Sequence, residues 1–201
     1  DIETSFLDEE ALFPIFEEMV VKLWKEILGQ DVKTPFPRMP YQEAMSRYGS
    51  DKPDIRFGLE LQDLSEIFKA STFQVFQNAL TTGSRGKRGS VRGIAIPGEA
   101  EKFSRKDLDD MAAQAATLGA KGLLWIKVQA GGELQSPAAK FFTDAEKAEL
   151  KSKLGLQPGH LVLIVADGKD KVVFDALGAL RLSVGARLGL IPKLGEGKPA
   201  F

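Results

Sequence analysis

From Thr72 onward the sequence alternates short apolar runs with helical segments that carry their own start and stop signals, and this alternation leaves few folds open. The runs "TFQVFQNAL" and "SVRGIAIPG" alternate apolar with polar or small residues and are joined by "TTGSRGKRG", which predicts two strands of a long hairpin. "SRKDLDDMAAQAATLG" follows, with Ser104 as N-cap, Asp107 in the capping-box position and Gly119 as the stop, so it is expected to be a helix. "GLLWIKVQAGG" predicts a third strand and "HLVLIVADG" a fourth, and between them Thr143 and Glu146 open the helix "TDAEKAELKSKLG". The last segment, "DKVVFDALGALRLSVGARLG", spaces Val173, Leu177, Leu180, Val184 and Leu188 as one buried helical stripe. The order ββαβαβα predicts an α+β domain over residues 71–190, a mainly antiparallel sheet with helices on one face.

Residues 1–70 have a different texture and read as part of another element. Between Asp8 and Gly29 the apolar residues recur at spacings of three and four, which predicts a helix with one wide apolar stripe. Pro14 places the regular start of that helix near Phe13, with the proline in the first turn. Tyr41–Tyr48 predicts a short helix, Gly49–Pro53 a turn and Leu61–Ala70 a second short helix, while residues 191–201, "PKLGEGKPAF" with the residue before it, read as a linker. The chain opens on "DIETSF" without an initiator methionine, which suggests a piece of a longer polypeptide.

Composition sets outer limits. With 27 basic and 28 acidic residues the net charge is −1, so no global field draws the chain to nucleic acid or to an anionic membrane. The absence of cysteine excludes disulfides, thiolate nucleophiles and cysteine-based zinc sites, and suits a reducing compartment, so a cytoplasmic location is expected. No apolar run approaches the roughly 18 residues needed to cross a bilayer, and no membrane partner is expected.

Few residues suggest chemistry. His160 stands between "QPG" and a predicted strand with no pattern of a catalytic triad around it, and reads as a turn or strand-edge residue. "GEGK" lacks the spacing and the following Ser or Thr of a phosphate-binding loop. Arg85, Lys87 and Arg88 sit on the Gly-rich tip "GSRGKRGS"; they read either as a solvated loop or as contacts to RNA phosphates, with no aromatic residue among them for stacking on bases. Asp8, Glu9, Glu10, Glu17 and Glu18 read as the solvated face of a helix, and Glu99 and Glu101 as loop residues. No catalytic residue and no metal ligand is identified.

One stretch is more specific. "FPRMPYQEAMSRYGSDKPDIRFGLEL" closely resembles the segment of bacterial-type aspartyl-tRNA synthetases that leads from the class II catalytic domain into an inserted domain. "VRGIAIPG", "SRKDLDD", "GAKGLLWIKV", "LQSPAAKF" and "ADGKDKVVFDALGALRLSVGARLGL" follow in the order of that insertion, the GAD domain, which also occurs in amidotransferases acting on misacylated tRNA. The resemblance covers nearly the whole chain and departs at Pro14, at Pro40 where a Thr is more usual, and in the longer basic hairpin. It implies a GAD-type (DCoH-like) sheet over 71–190, preceded in 1–70 by a partial catalytic segment.

The dense stretch then reads as a domain junction. Pro35, Pro37, Pro40 and Pro53 restrict φ, Gly49 and Asp51 permit tight turns, and Asp51, Lys52, Asp54 and Arg56 are placed to pair with one another and pin it. By the resemblance the parent activates aspartate with ATP and Mg²⁺ and transfers it to tRNA(Asp), as a homodimer, using arginines from two sequence motifs that these residues lack. Asp1 matches the family's aspartate in the pocket for the ammonium group, a remnant here, with Glu3 a structural neighbour. The piece alone is expected to be inactive and monomeric. The alternatives are a non-catalytic tRNA-binding or scaffolding module of a tRNA-dependent amidotransferase, and an α+β domain that only supports assembly.

Overall fold

The run "LVLIVAD", Leu161–Asp167, is buried at every position, and the fold is organised around it. In the computed structural model, which describes residues 2–81 and 89–193, five strands form one sheet: β1 (Gln62–Asp63), β2 (Ser90–Ile96), β3 (Leu124–Val128), β4 (Leu134–Gln135) and β5 (Leu161–Asp167). Their order is β1-β2-β5-β3-β4, and every pairing is antiparallel, with Ser90 opposite Asp167, Ile96 opposite Leu161 and Leu124 opposite Ile164. Among the described residues six α-helices accompany it: α1 (Glu9–Leu28), α2 (Tyr41–Tyr48), α3 (Gln74–Thr81), α4 (Arg105–Thr117), α5 (Asp144–Leu154) and α6 (Asp170–Arg187).

The α+β class and the mainly antiparallel sheet agree with the expectation, but the helices do not lie on one face. Leu161, Leu163 and Val165 of β5 pack with Leu108 and Met111 of α4 and with Val173, Leu177 and Leu180 of α6. The alternate residues Val162, Ile164 and Ala166 pack on the other side with Phe76 of α3 and Leu150 of α5. Successive side chains of a strand point to opposite faces, so a strand apolar at every position needs cover on both.

Three local expectations are corrected. "TFQVFQNAL" is no strand: Phe76, Ala79 and Leu80 are buried on α3, a helical spacing of three and four, and the Phe76 ring lies 4.6 Å from that of Phe68. The hairpin therefore does not exist, and β2 takes β5 as its partner. Leu61–Ala70 is no helix; β1 leads into turns, where the Asp63 carboxylate accepts from the Ser65 amide at 2.9 Å, a side-chain turn that ends the strand. α1 starts at Glu9 rather than near Phe13, because Asp8 caps it, its carboxylate accepting from the Ala11 amide, and Pro14 is carried inside the helix. Both capping boxes form, Ser104 with Asp107 and Thr143 with Glu146.

The chain divides into two compact units, one reaching to Pro40 and resuming at Pro192, the other Tyr41–Ile191. In the first, Arg38 stacks over Phe13 at 4.3 Å and donates to Glu10, the Phe36 amide donates to Glu17 at 2.8 Å, and no residue of α1 is buried. The second contains the sheet. Among the described residues no helix is long and apolar enough to cross a membrane.

Candidate functional site

Within the unit Tyr41–Ile191, residues 49–58 fold against α6. Gly49, with φ of 69°, ends α2 by donating its amide to the Met45 carbonyl at 2.9 Å. That left-handed conformation favours glycine, and so does the space: a Cβ on Gly49 would collide with the Phe174 carbonyl, and one on Gly178 would come within 2.6 Å of the Gly49 carbonyl oxygen. Further along α6, the Phe57 ring packs against Gly185, where a Cβ would sit 2.7 Å from ring atom Cε2. Gly178, Arg181 and Gly185 thus make a track on one side of α6 that receives residues 49–58.

Arg181 is the centre of this contact. It is 1% exposed, its Nε donates to the Gly58 carbonyl at 3.1 Å, and its Nη2 donates to the carbonyls of Asp54 at 2.9 Å and Phe57 at 2.7 Å. The guanidinium lies 3.9 Å from the Phe57 ring centre and 4.9 Å from that of Tyr48. No carboxylate touches it; burial pushes its pKa down, while Tyr48, Asp54 and Glu60 push it up from a distance.

Of the four residues expected to pin the junction, two meet. Arg56 grips Asp54 through two parallel hydrogen bonds of 2.9 and 2.7 Å, and that grip holds the Asp54 carboxyl below its ordinary range. Asp51 and Lys52 are exposed, and Lys52 contributes only its amide, donated to Ser50 Oγ. A second cluster lies beside it: Arg47 donates to both oxygens of Glu60 at 3.0 and 2.8 Å and to Glu43, and the Tyr48 hydroxyl donates to Glu60 at 3.2 Å. Arg47 holds Glu60 below the usual carboxylate range. The Leu61 amide closes the loop on the Arg47 carbonyl at 2.8 Å.

Sequence reading missed Arg181, Gly178, Gly185, Arg47 and Glu60. One signal was present: glycine inside a helix costs about 0.5–1 kcal/mol against alanine, so two of them at one helical face mark a close approach of something else.

The remaining candidates fall elsewhere. Asp1, the tip residues Arg85, Lys87 and Arg88, and "GEGK" lie outside the described residues. Glu3 is exposed. His160 sits in the turn before β5, its amide donated to the Gln157 carbonyl and its carbonyl accepting from the Val128 amide, with Nδ1 buried and unpartnered. A groove of about 600 Å³ is lined by Asp63, Ser65, Lys69, Thr81, Gly89 and Arg92 among others. Its cations are already engaged, Arg92 with Asp63 at 2.9 Å and Lys69 with Glu66 at 3.0 Å. No group of three or more His, Cys, Asp or Glu able to hold a metal occurs among the described residues. The best-built arrangement is therefore one that holds a chain segment in place, not one that moves protons or charge.

Comparison with known proteins gives this arrangement its context. The GAD domain model matches residues 76–177. The chain is 50% identical over 201 residues, all of its length and 32% of the relative, to an aspartate–tRNA ligase of Geobacillus kaustophilus. It is 50% identical over 191 residues, 95% of the chain and 31% of the relative, to one of Exiguobacterium sibiricum. An aspartate–tRNA(Asp/Asn) ligase of Anoxybacillus flavithermus matches at the same identity and coverage. The chain spans about a third of the length of these relatives.

Proposed function

We propose, since the chain belongs to the GAD domain family, that it is the GAD-containing part of an aspartate–tRNA ligase, which activates aspartate with ATP and Mg²⁺ and transfers it to tRNA(Asp) for protein synthesis in the cytoplasm. One observation carries this reading: the 50% identity runs along all 201 residues, well beyond the 76–177 of the domain itself. A GAD domain serving in an amidotransferase has no need of the flanking stretch that includes "RYGSDKPDIR".

Under this reading residues 1–70 are a partial class II catalytic segment, 71–190 the insertion and 191–201 the return, Asp1 is a remnant of the ammonium pocket, and the parent is a homodimer. Charge on the phosphates of ATP is met in such an enzyme by arginines and Mg²⁺, supplied by parts of the parent outside these 201 residues. The chain alone then supports no aspartate-dependent exchange of pyrophosphate into ATP, whereas the complete product of the parent gene does. Failure of the complete protein to exchange overturns the assignment; exchange by the piece, free of host enzyme, overturns its inactivity.

Arg85, Lys87 and Arg88 are the candidate contacts to tRNA. Each neutralised phosphate contributes just under one unit to the slope of log affinity against log salt, so replacing all three by Ala lowers that slope by about two to three units. An unchanged affinity and slope removes the tip from the account.

A further inference from the structure

We infer that residues 49–58 form a latch that Arg181 closes, tying the stretch by which the chain enters the unit Tyr41–Ile191 to the helix by which it leaves. Both halves of the latch, 49–58 and Gly178 to Gly185, lie outside the 76–177 matched by the domain model. The inference rests on this chain's own contacts and holds whatever the parent enzyme is.

Three observations converge. A buried cation needs compensation, and the hydrogen bonds that Arg181 makes all end on carbonyls of one segment, at Asp54, Phe57 and Gly58. The shape is matched as well as the charge: Gly178 admits the backbone of Gly49, and Gly185 admits the ring of Phe57. Finally, Ile191, the last residue of the unit, reaches the same spot, since a Cβ on Gly185 would meet both Phe57 and, at 3.3 Å, the Ile191 side chain. Entry and exit of the chain therefore share one helix surface.

The latch is distinct from the core behind it. Leu61, which follows it, belongs to the packed cluster between the sheet, α4 and α6, whereas Ser50 and Lys52 are half-buried to exposed and bond only locally. Opening the latch hydrates Arg181 and uncovers the glycine track without disturbing any strand pairing. The planar fork of arginine serves several carbonyls while stacking on a ring, which the ammonium of lysine cannot reproduce.

Hydrogen exchange on the whole 201-residue chain tests this. In the unmodified protein the amides of Gly49 and Arg56, which donate to the Met45 carbonyl and to the Asp54 carboxylate, exchange more slowly than those of a free loop; exchange at the free-loop rate overturns the proposal. In Arg181→Met the same amides exchange about ten to a hundred times faster, the range expected when hydrogen bonds to a charged group are lost, while β2 and β5 keep their protection. Arg181→Lys behaves like Arg181→Met. Equal acceleration in β5, or none at Gly49 and Arg56, shows that Arg181 is an ordinary core residue and overturns the latch. Should Arg181→Met fail to fold, Gly178→Ala, which leaves the charge and presses first on the Gly49 backbone, must loosen the amides of Gly49 and Arg56 and not the sheet; loosening of the sheet as well, or of neither, has the same adverse meaning.

Discussion

α1 and α6 are the two longest of the described helices, of 20 and 18 residues, and their surroundings are opposite. α6 is closed in on two sides: Val173, Leu177, Leu180 and Val184 are 0% exposed against the sheet, and its glycine track carries residues 49–58. α1 has an apolar stripe of its own, yet Ile15, Met19, Leu23 and Ile27 are 54%, 46%, 44% and 73% exposed. Periodicity reports that a helix is built for a partner and says nothing of whether the partner is in the same chain. For α1, under the function proposed, the partner belongs to the larger part of the enzyme.

The sharpest way to break this contrast is in the core. Leu177→Ala removes a fully buried side chain of α6 and is expected to lower the free energy of unfolding by about 2–5 kcal/mol; a urea titration showing no loss would mean that α6 is not the keystone described. A smaller effect comes from acid. Asp107 is held well below its ordinary value by the Arg187 guanidinium at the end of α6, and then by Ser104, and Arg56 and Arg47 hold down Asp54 and Glu60. A carboxyl depressed in the folded state stabilises above its unfolded pKa, and that contribution disappears as pH falls through the folded value. Stability is therefore expected to be level above the ordinary values of 3.8 and 4.5 and to decline below them, less steeply in Arg187→Met; identical acid limbs in the two proteins would refute the role of that pair. The smallest effect belongs to α1. Replacing Leu23 and Ile27 by Ser is expected to move the unfolding of the sheet unit by less than about 0.5 kcal/mol, and sedimentation should show no more self-association than before. A loss approaching that of Leu177→Ala would show that α1 is buried in solution after all.

What the sequence made legible follows from the range of the forces involved. The capping boxes at Ser104 and Thr143 were readable because they bind within three residues, and "LVLIVAD" because β-branched and aliphatic residues in an unbroken run fit a buried strand. The same run also carried the two-sided cover that one-sided packing of helices cannot supply. α3 was misread because Thr72, Phe73, Gln74 and Val75 alternate polar with apolar for one short stretch, while its helical spacing, Phe76 with Ala79 and Leu80, lies only slightly further on. Leu61–Ala70 was misread because Leu64 and Phe68 are both fully buried at a helical interval, although the backbone between them is a set of turns. Arg181 escaped because an arginine in an amphipathic helix reads as solvated, and its partners lie well over a hundred positions earlier in the chain.

The central place of β5 has a consequence for how the protein is made. β2 and β3 are synthesised first, but neither pairs with the other; each waits for β5, which lies between them. A ribosome delivering these residues in order must pass from β2 through residues 97–160 before the sheet has its middle, and until then the inner edges of β2 and β3 stand open with their amides and carbonyls unmatched. Such edges invite pairing with other chains, and distant pairings form late. The nascent chain is thus most exposed to aggregation in the interval before Leu161–Asp167 emerges, and a pause in translation there would lengthen that interval more than a pause anywhere after it.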